Sequence, residues 1–219
     1  DAAQCRFWDA AAGAYSTAGS ATFSGVIADT GASAIGSLTK AGTGTQVLSG
    51  VNTYAAAMTV SAGTLAITDA AGLGTTAAGT TVASGATLDL RGVTVGAEAL
   101  TLNGGTLLVS TGTSSLSGAV TLGASSTLNV TGTQLTLGGV IGGTGFGLTK
   151  NGAGLAVLTG ASTFTGDITV SAGILRVGGS GKLAAGTYVG ALTVASGATF
   201  DYVSSVSYTH LRAHETRED

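Results

Sequence analysis

The chain contains no proline, one cysteine and few charges, with 9% of its 219 residues being Asp, Glu, Lys or Arg. Each shortage excludes something. Proline removes a backbone donor and interrupts sheet interiors, so its absence permits strands that bond to neighbours on both edges. A lone thiol, Cys5, forms no internal disulfide and builds no metal cluster. The net charge of −3 is too small to specify a charged partner. The six Lys and Arg before residue 206 are dispersed, which leaves no footprint for nucleic-acid phosphates. Aromatic residues make up 5%, yet the mean hydropathy is +0.47, so Ala, Val, Leu and Ile carry the apolar content. No run approaches the ~18 uninterrupted apolar residues of a membrane-spanning helix. Disordered chains are charged and short of β-branched residues, and collagen repeats glycine every third position with proline. This chain does neither, although it holds 38 glycines.

What it does contain is repetition. Leu38 to Ile67, LTKAGTGTQVLSGVNTYAAAMTVSAGTLAI, returns without a gap as Leu148 to Val177, LTKNGAGLAVLTGASTFTGDITVSAGILRV. Half of the aligned positions are identical. The identities fall in a leading Leu-Thr-Lys, in glycines such as Gly42, Gly63, Gly152 and Gly173, and in apolar positions such as Val60, Leu65, Val170 and Leu175. A repeat at fixed offset decides architecture before any local pattern does.

Within the repeats and between them the texture is that of short strands. In Met58 to Ile67, Val60 precedes Ser61-Ala62-Gly63, and Leu65 and Ile67 follow at a spacing of two. Thr81 to Leu90 and Thr193 to Tyr202 have the same form. A period of two is strand periodicity, and the Ser/Ala/Gly between is a tight corner in which glycine supplies positive φ. Corners of this kind end at Leu65, Leu88, Leu107 and Leu128. Their recurrence at roughly 20 residues, without an amphipathic helical window, predicts a solenoid. A sandwich of antiparallel hairpins would not make distant segments nearly identical, whereas stacked coils do. The fold expected is therefore an all-β parallel β-helix of roughly 20 residues per coil. About ten coils would give a rod on the order of 50 Å, with Val, Leu and Ile inside and Thr and Ser outside.

Three segments are expected: an N-terminal cap or irregular segment over 1–22 that includes Phe7, Trp8 and Tyr15, the β-helix over 23–205, and a non-native tail over 206–219. Terminal units of repeat folds close an apolar end and are atypical for that reason. In the tail, Val206 to Thr216 reads VSYTHLRAHET and resembles a translated sequencing adapter. Setting it aside removes His210 and His214 and leaves 6 basic against 8 acidic residues.

The string Phe23-Ser24-Gly25-Val26-Ile27, then Leu38-Thr39-Lys40, Gly42-Thr43-Gly44, Leu48-Ser49-Gly50, Asn52-Thr53-Tyr54 and Val60-Ser61-Ala62-Gly63-Thr64-Leu65 resembles the passenger-associated transport repeat of autotransporters. A second copy runs from Val140-Ile141 through Leu148-Thr149-Lys150 to Val170-Ser171-Ala172-Gly173-Ile174-Leu175. Ala55-Ala56 in the first copy and Ser162 and Phe164 in the second depart from the family pattern. The resemblance implies a right-handed β-helical passenger of a type V secreted protein in a Gram-negative bacterium. Such a passenger is exported through its own C-terminal outer-membrane β-barrel translocator, which is not visible in this sequence, and folds at the cell surface.

Chemistry is sparse. His210, His214 and Glu215 do not meet the H-E-x-x-H or H-x-x-E-H order of a zinc helix. Gly178-Gly179-Ser180-Gly181-Lys182 lacks the first glycine and final hydroxyl of a phosphate loop, with Arg176 and Leu183 in those places. Gly143 to Gly147 lacks dinucleotide-binding spacing. Both read as corners. Asp89 and Asp201 lie between apolar neighbours and are expected to face solvent, too far apart to share a calcium or flank a glycosidic bond. Asp69, Asp167, Arg91 and Arg176 read as isolated. Lys40 and Lys150 belong to the repeat, with stems along the coil and ammonium groups expected at the surface. The matched Tyr54 and Phe164 are expected to pack a loop against the rod, with sugar stacking as the alternative. No catalytic, cofactor-binding or metal site is expected, and no nucleic acid or small-molecule cofactor. Three functions compete: a non-catalytic stalk that promotes export and presents an adhesive or effector region; an adhesin that binds host glycan or protein or self-associates; and, last, a β-helical polysaccharide lyase.

Overall fold

A computed structural model describes residues 8–9, 14–15, 20–29, 37–184 and 187–205. Cys5, Phe7, His210, His214 and the rest of 206–219 lie outside the described residues. Near the N-terminus, Trp8–Asp9 and Ala14–Tyr15 form a two-stranded antiparallel pair. Every other pairing between the described strands is parallel and joins residues 19 to 25 positions apart. The result is a β-solenoid of about 21 residues per turn, without an α-helix among the described residues.

Three parallel sheets wrap the rod. The long sheet has nine strands, from Ser20–Phe23 through Thr45–Leu48, Thr64–Ile67 and Thr87–Arg91 to Leu192–Val194. The second has six, from Ser37–Lys40 to Ile141–Gly142, and the third six, from Thr94–Val95 to Thr199–Ser204. Nine rungs at ~4.8 Å make a rod of roughly 38 Å, shorter than the ten coils expected. The expectation rests on a uniformly short coil, whereas several turns join positions 23 to 25 apart.

Parallel pairing in register stacks like on like. Leu65, Leu88, Leu107 and Leu128 form one inward column, each buried. On the outside of the same sheet, Thr45, Thr64, Thr87, Thr106, Thr127, Thr149, Thr169 and Thr193 stand on successive rungs. Thr39, Thr59, Thr81, Thr101 and Thr121 do so on the second sheet. β-Branched side chains suit a pleated surface with one face on water.

Where backbone stacks on backbone, glycine is required. After Leu116, Leu137 and Leu158 the chain turns through Ser117-Gly118, Gly138-Gly139 and Thr159-Gly160. A Cβ on Gly160 would meet the Gly139 carbonyl, one on Gly139 the Gly118 carbonyl, and one on Gly118 the Glu98 carbonyl. This glycine ladder continues between the two repeats, where the repeat motif itself is absent.

The two copies of the repeat do not lie over one another. The strand Ser37–Lys40 belongs to the second sheet, whereas its counterpart Leu148–Asn151 belongs to the long sheet. Thr45–Leu48 lies in the long sheet and Leu155–Leu158 in the third. The separation between the copies therefore holds five turns plus one face. Gly139→Ala is expected to cost about 1–3 kcal/mol by overpacking and to lower Tm. Gly96→Ala, which meets nothing within 4 Å, is expected to leave Tm unchanged or slightly raised. Thermal unfolding followed by circular dichroism checks the pair.

Candidate functional site

Each repeat places a lysine in an aliphatic column. Lys40 stacks on Val60, in a column that continues through Val82 and Leu102, and Lys150 stands between Leu128 and Val170. Lys150 is 0% exposed and Lys40 8%, so neither ammonium lies at the surface as expected. The strand alternation turns the whole side chain inward. The head group then reaches the rod's corner and finds carbonyls there.

Lys40 Nζ donates to the carbonyls of Ala41 (3.1 Å), Gly42 (2.7 Å) and Ala62 (3.0 Å). Lys150 Nζ donates to those of Asn151 (2.8 Å), Gly152 (2.7 Å) and Ala172 (3.1 Å). Two acceptors come from the lysine's own corner and the third from the Ser-Ala-Gly corner one rung on. Three donors meet three acceptors, which satisfies the ammonium completely. The corners are open enough to aim those carbonyls because Gly42, Gly63, Gly152 and Gly173 adopt positive φ of 62–78°. A Cβ on Gly63 would lie 2.5 Å from the Gly42 carbonyl oxygen, so the two corners touch. The Leu-Thr-Lys, the paired glycines and the Ser-Ala-Gly of the repeat are thus parts of one clamp. It forms alike on two different faces of the rod, so the repeat encodes it without help from the rungs around it.

Among the described residues no carboxylate takes part in the clamp. Burial pushes the Lys150 ammonium down from its ordinary 10.5 to about 8, and lowers Lys40 as well. The carbonyl bonds favour the charged form, which persists at neutral pH.

The loops following Leu48 and Leu158 differ between copies. Asn52 Oδ1 accepts from the Ile27 N–H (2.9 Å) and its Nδ2 donates to the Gly72 carbonyl (2.8 Å), joining the rungs before and after. Ser162 occupies the same place in the second copy, fully buried, and its Oγ has no partner among the described residues. Two rung-to-rung bonds are lost with the shorter side chain. Tyr54 and Phe164 are both fully buried beside these residues. Phe164 meets the Tyr188 ring edge-on at 6.1 Å, and neither Tyr54 nor Phe164 is available to stack a sugar.

The remaining candidates resolve into structural contacts. Alternation predicts Asp89 in solvent, but it is 1% exposed. Its Oδ2 accepts from Arg91 Nε (2.7 Å) and Ser110 Oγ (2.8 Å), and its Oδ1 from the Ser110 N–H (3.0 Å). The register slips between Leu108 and Thr111, and this bulge frees the Ser110 N–H that Asp89 takes up. Arg91 and Arg176 are therefore not isolated: Arg176 Nε donates to Asp201 Oδ2 at 2.7 Å across one rung, with Asp201 only partly exposed. Asp69 and Asp167 accept from the N–H groups of Ala71 and Ala191. Gly145 and Gly147 donate to Thr165 and Ser125 hydroxyls, so that stretch is a corner, whereas Gly178 and Gly179 end the strand Ile174–Gly179, paired with Val203 and Ser204, and the chain turns only after them, with Gly181 donating to the Gly178 carbonyl. Glu98 carries no signal in the sequence. It is buried with Oε1 accepting from Thr80 Oγ1 at 2.8 Å, and burial pushes its carboxyl up. Among the described residues no three of His, Cys, Asp and Glu assemble as a metal site.

The clamp and its repetition agree with what comparison with known families finds. Residues 38–67 and 148–177 match the passenger-associated-transport-repeat. Both matches begin at the Leu-Thr-Lys strand and end just after the Ser-Ala-Gly corner, so each contains one whole clamp. No curated protein and no solved structure matches the chain.

Lys150→Met is expected to lower stability by about 2–4 kcal/mol, because three carbonyls lose a charged donor. In the unsubstituted protein, stability should rise as pH goes from about 8 to 10.5, where the folded chain has shed a proton that the unfolded chain keeps. Urea titrations across this range should show a smaller rise in the variant. Asn52→Ser, which imposes the second copy's residue on the first, is expected to cost about 1–3 kcal/mol, because the partners of Asn52 lose their bonds. Denaturant midpoints at constant m-value check it.

Proposed function

We propose that the chain is a non-catalytic stalk segment of an autotransporter passenger, exported through its own β-barrel translocator and displayed at the surface of a Gram-negative bacterium. The observation that carries this reading is the pair of matches to the transport repeat, together with the structural use of the residues they contain. The lysines, glycines and aromatics that the two copies have in common are turned inward or into corners. They hold the rod and present nothing to a substrate.

The physical demands of such a role are met. A chain that crosses a membrane unfolded must regain its structure outside without cofactors or disulfides. Here each turn pairs along its length with the turn before it, so an emerging segment adds to a finished edge. Each clamp closes between consecutive corners on neighbouring rungs, a short loop to close. The arrangement lets a folded rung template its successor. The stalk then carries an adhesive or effector region beyond this segment, with a host surface or another cell as the partner of that region.

The test is surface labelling of the native producer. Antibody raised against the chain is expected to label intact cells, and external protease to release the label. Label confined to permeabilised cells would overturn the reading. Cleavage of pectin-like polymers by the purified chain would overturn its non-catalytic part.

A further inference from the structure

The second sheet, from Ser37–Lys40 to Ile141–Gly142, differs from the other two in what it shows to water. The outward side chains of its first five strands put Thr39, Thr59, Thr81, Thr101 and Thr121 in one column. All five are partly or fully exposed. The columns on either side hold only small or neutral residues, among them Ser37, Ala57, Ala99 and Ala119 on one side and Ser61 and Ala83 on the other. Among the described residues no charged and no aromatic side chain stands in these columns. The long sheet is interrupted on its outer face by Arg91 over Asp89, and the third by Arg176 with Asp201.

We propose that this face binds ice. Its threonines repeat at about 4.8 Å along the rod, close to the spacing of oxygens along a crystal axis of hexagonal ice. Each offers a methyl and a hydroxyl in a β-branched side chain with few rotamers, so the array is set before the ligand arrives and little ordering entropy opposes binding. The flanking residues are small except for Asn103 in one column and Val140 at the end of the other, and the absence of charge leaves the hydration water free to follow the hydroxyl array.

Other occupants fit less well. Six strands at ~4.8 Å and about five residues of width at ~3.3 Å give roughly 400 Å². A stable pair of chains needs about 800 Å² from each partner, so the face is too small to hold a second copy. Anionic lipids and nucleic acids need Lys or Arg, which the face lacks. A sugar polymer calls for an aromatic platform, and the described columns of this face hold none; the exposed Phe146 stands beyond the last strand, Ile141–Gly142, and is a single ring. An extended neutral lattice asks only for periodic hydroxyls and methyls.

The test uses the purified full chain in a nanolitre osmometer and in ice-affinity partition, independently of any export. Ice crystals are expected to be shaped, with freezing depressed below melting, and the protein to partition into growing ice. Thr81→Lys and Thr101→Lys, singly and together, should abolish the freezing–melting gap with circular dichroism unchanged. Thr106→Lys with Thr127→Lys, on the outer column of the long sheet, should preserve it. No gap and no partition by the unsubstituted chain would overturn the proposal. So would equal loss in both sets of variants, or retention on crystalline cellulose or chitin in place of ice.

Discussion

The structure depends on the approach of one backbone turn to the next. Parallel rungs about 4.8 Å apart bond through every strand, and that distance decides which residue can stand where. Inside, side chains of similar size must pile up, as Leu65, Leu88, Leu107 and Leu128 do. Outside, β-branched threonines repeat because a pleated surface accepts them on every rung. At the corners the carbonyl of one turn lies where the next residue's Cβ would be, so Gly118, Gly139 and Gly160 follow one another. Proline has no place inside such strands, because their N–H groups bond to neighbouring rungs.

Charge is admitted only under strict terms. Lys40 and Lys150 take positions that belong to aliphatic residues, and burial opposes their ionisation. What offsets that cost is a ring of three carbonyls drawn from two stacked corners. The same ring is built on two different sheets. A repeat that reproduces its local geometry on two different faces is a portable folding unit, which suits a rod assembled turn by turn. The intervening coils use the glycine ladder and aliphatic columns without a lysine. The clamps are therefore reinforcements of the solenoid, whose general support is the stacking itself.

Much of this is legible in the sequence. The long-range repeat and the period-two spacing around Ser-Ala-Gly point to stacked parallel strands, and the spacing of the corners agrees with the rungs. Sequence and structure part where alternation alone is the guide. It places Asp89 outward, which is its direction, but cannot foresee the bulge at Val109-Ser110 or the Arg91 side chain that covers the carboxylate. Lys40 and Lys150 read as surface residues because free lysines usually are, although their place two residues after Leu38 and Leu148 sets them on the inward side. The acceptors that make burial tolerable come partly from the corner of the next rung, beyond any local window. The one-face rotation between copies is also hidden, since it follows from summed turn lengths that vary by a few residues.

Successive turns advance by a constant step in one direction. Pulsed electron spin resonance on pairs of labels tests it most directly, in a Cys5→Ser background with labelled cysteines replacing Thr45 and, in turn, Thr127, Thr169 or Thr193. These residues stand four, six and seven rungs apart in one column. The expected distances are about 19, 29 and 34 Å, in proportion to rung number. Distances that fail to grow with rung number, as in a sandwich of antiparallel hairpins, would contradict it.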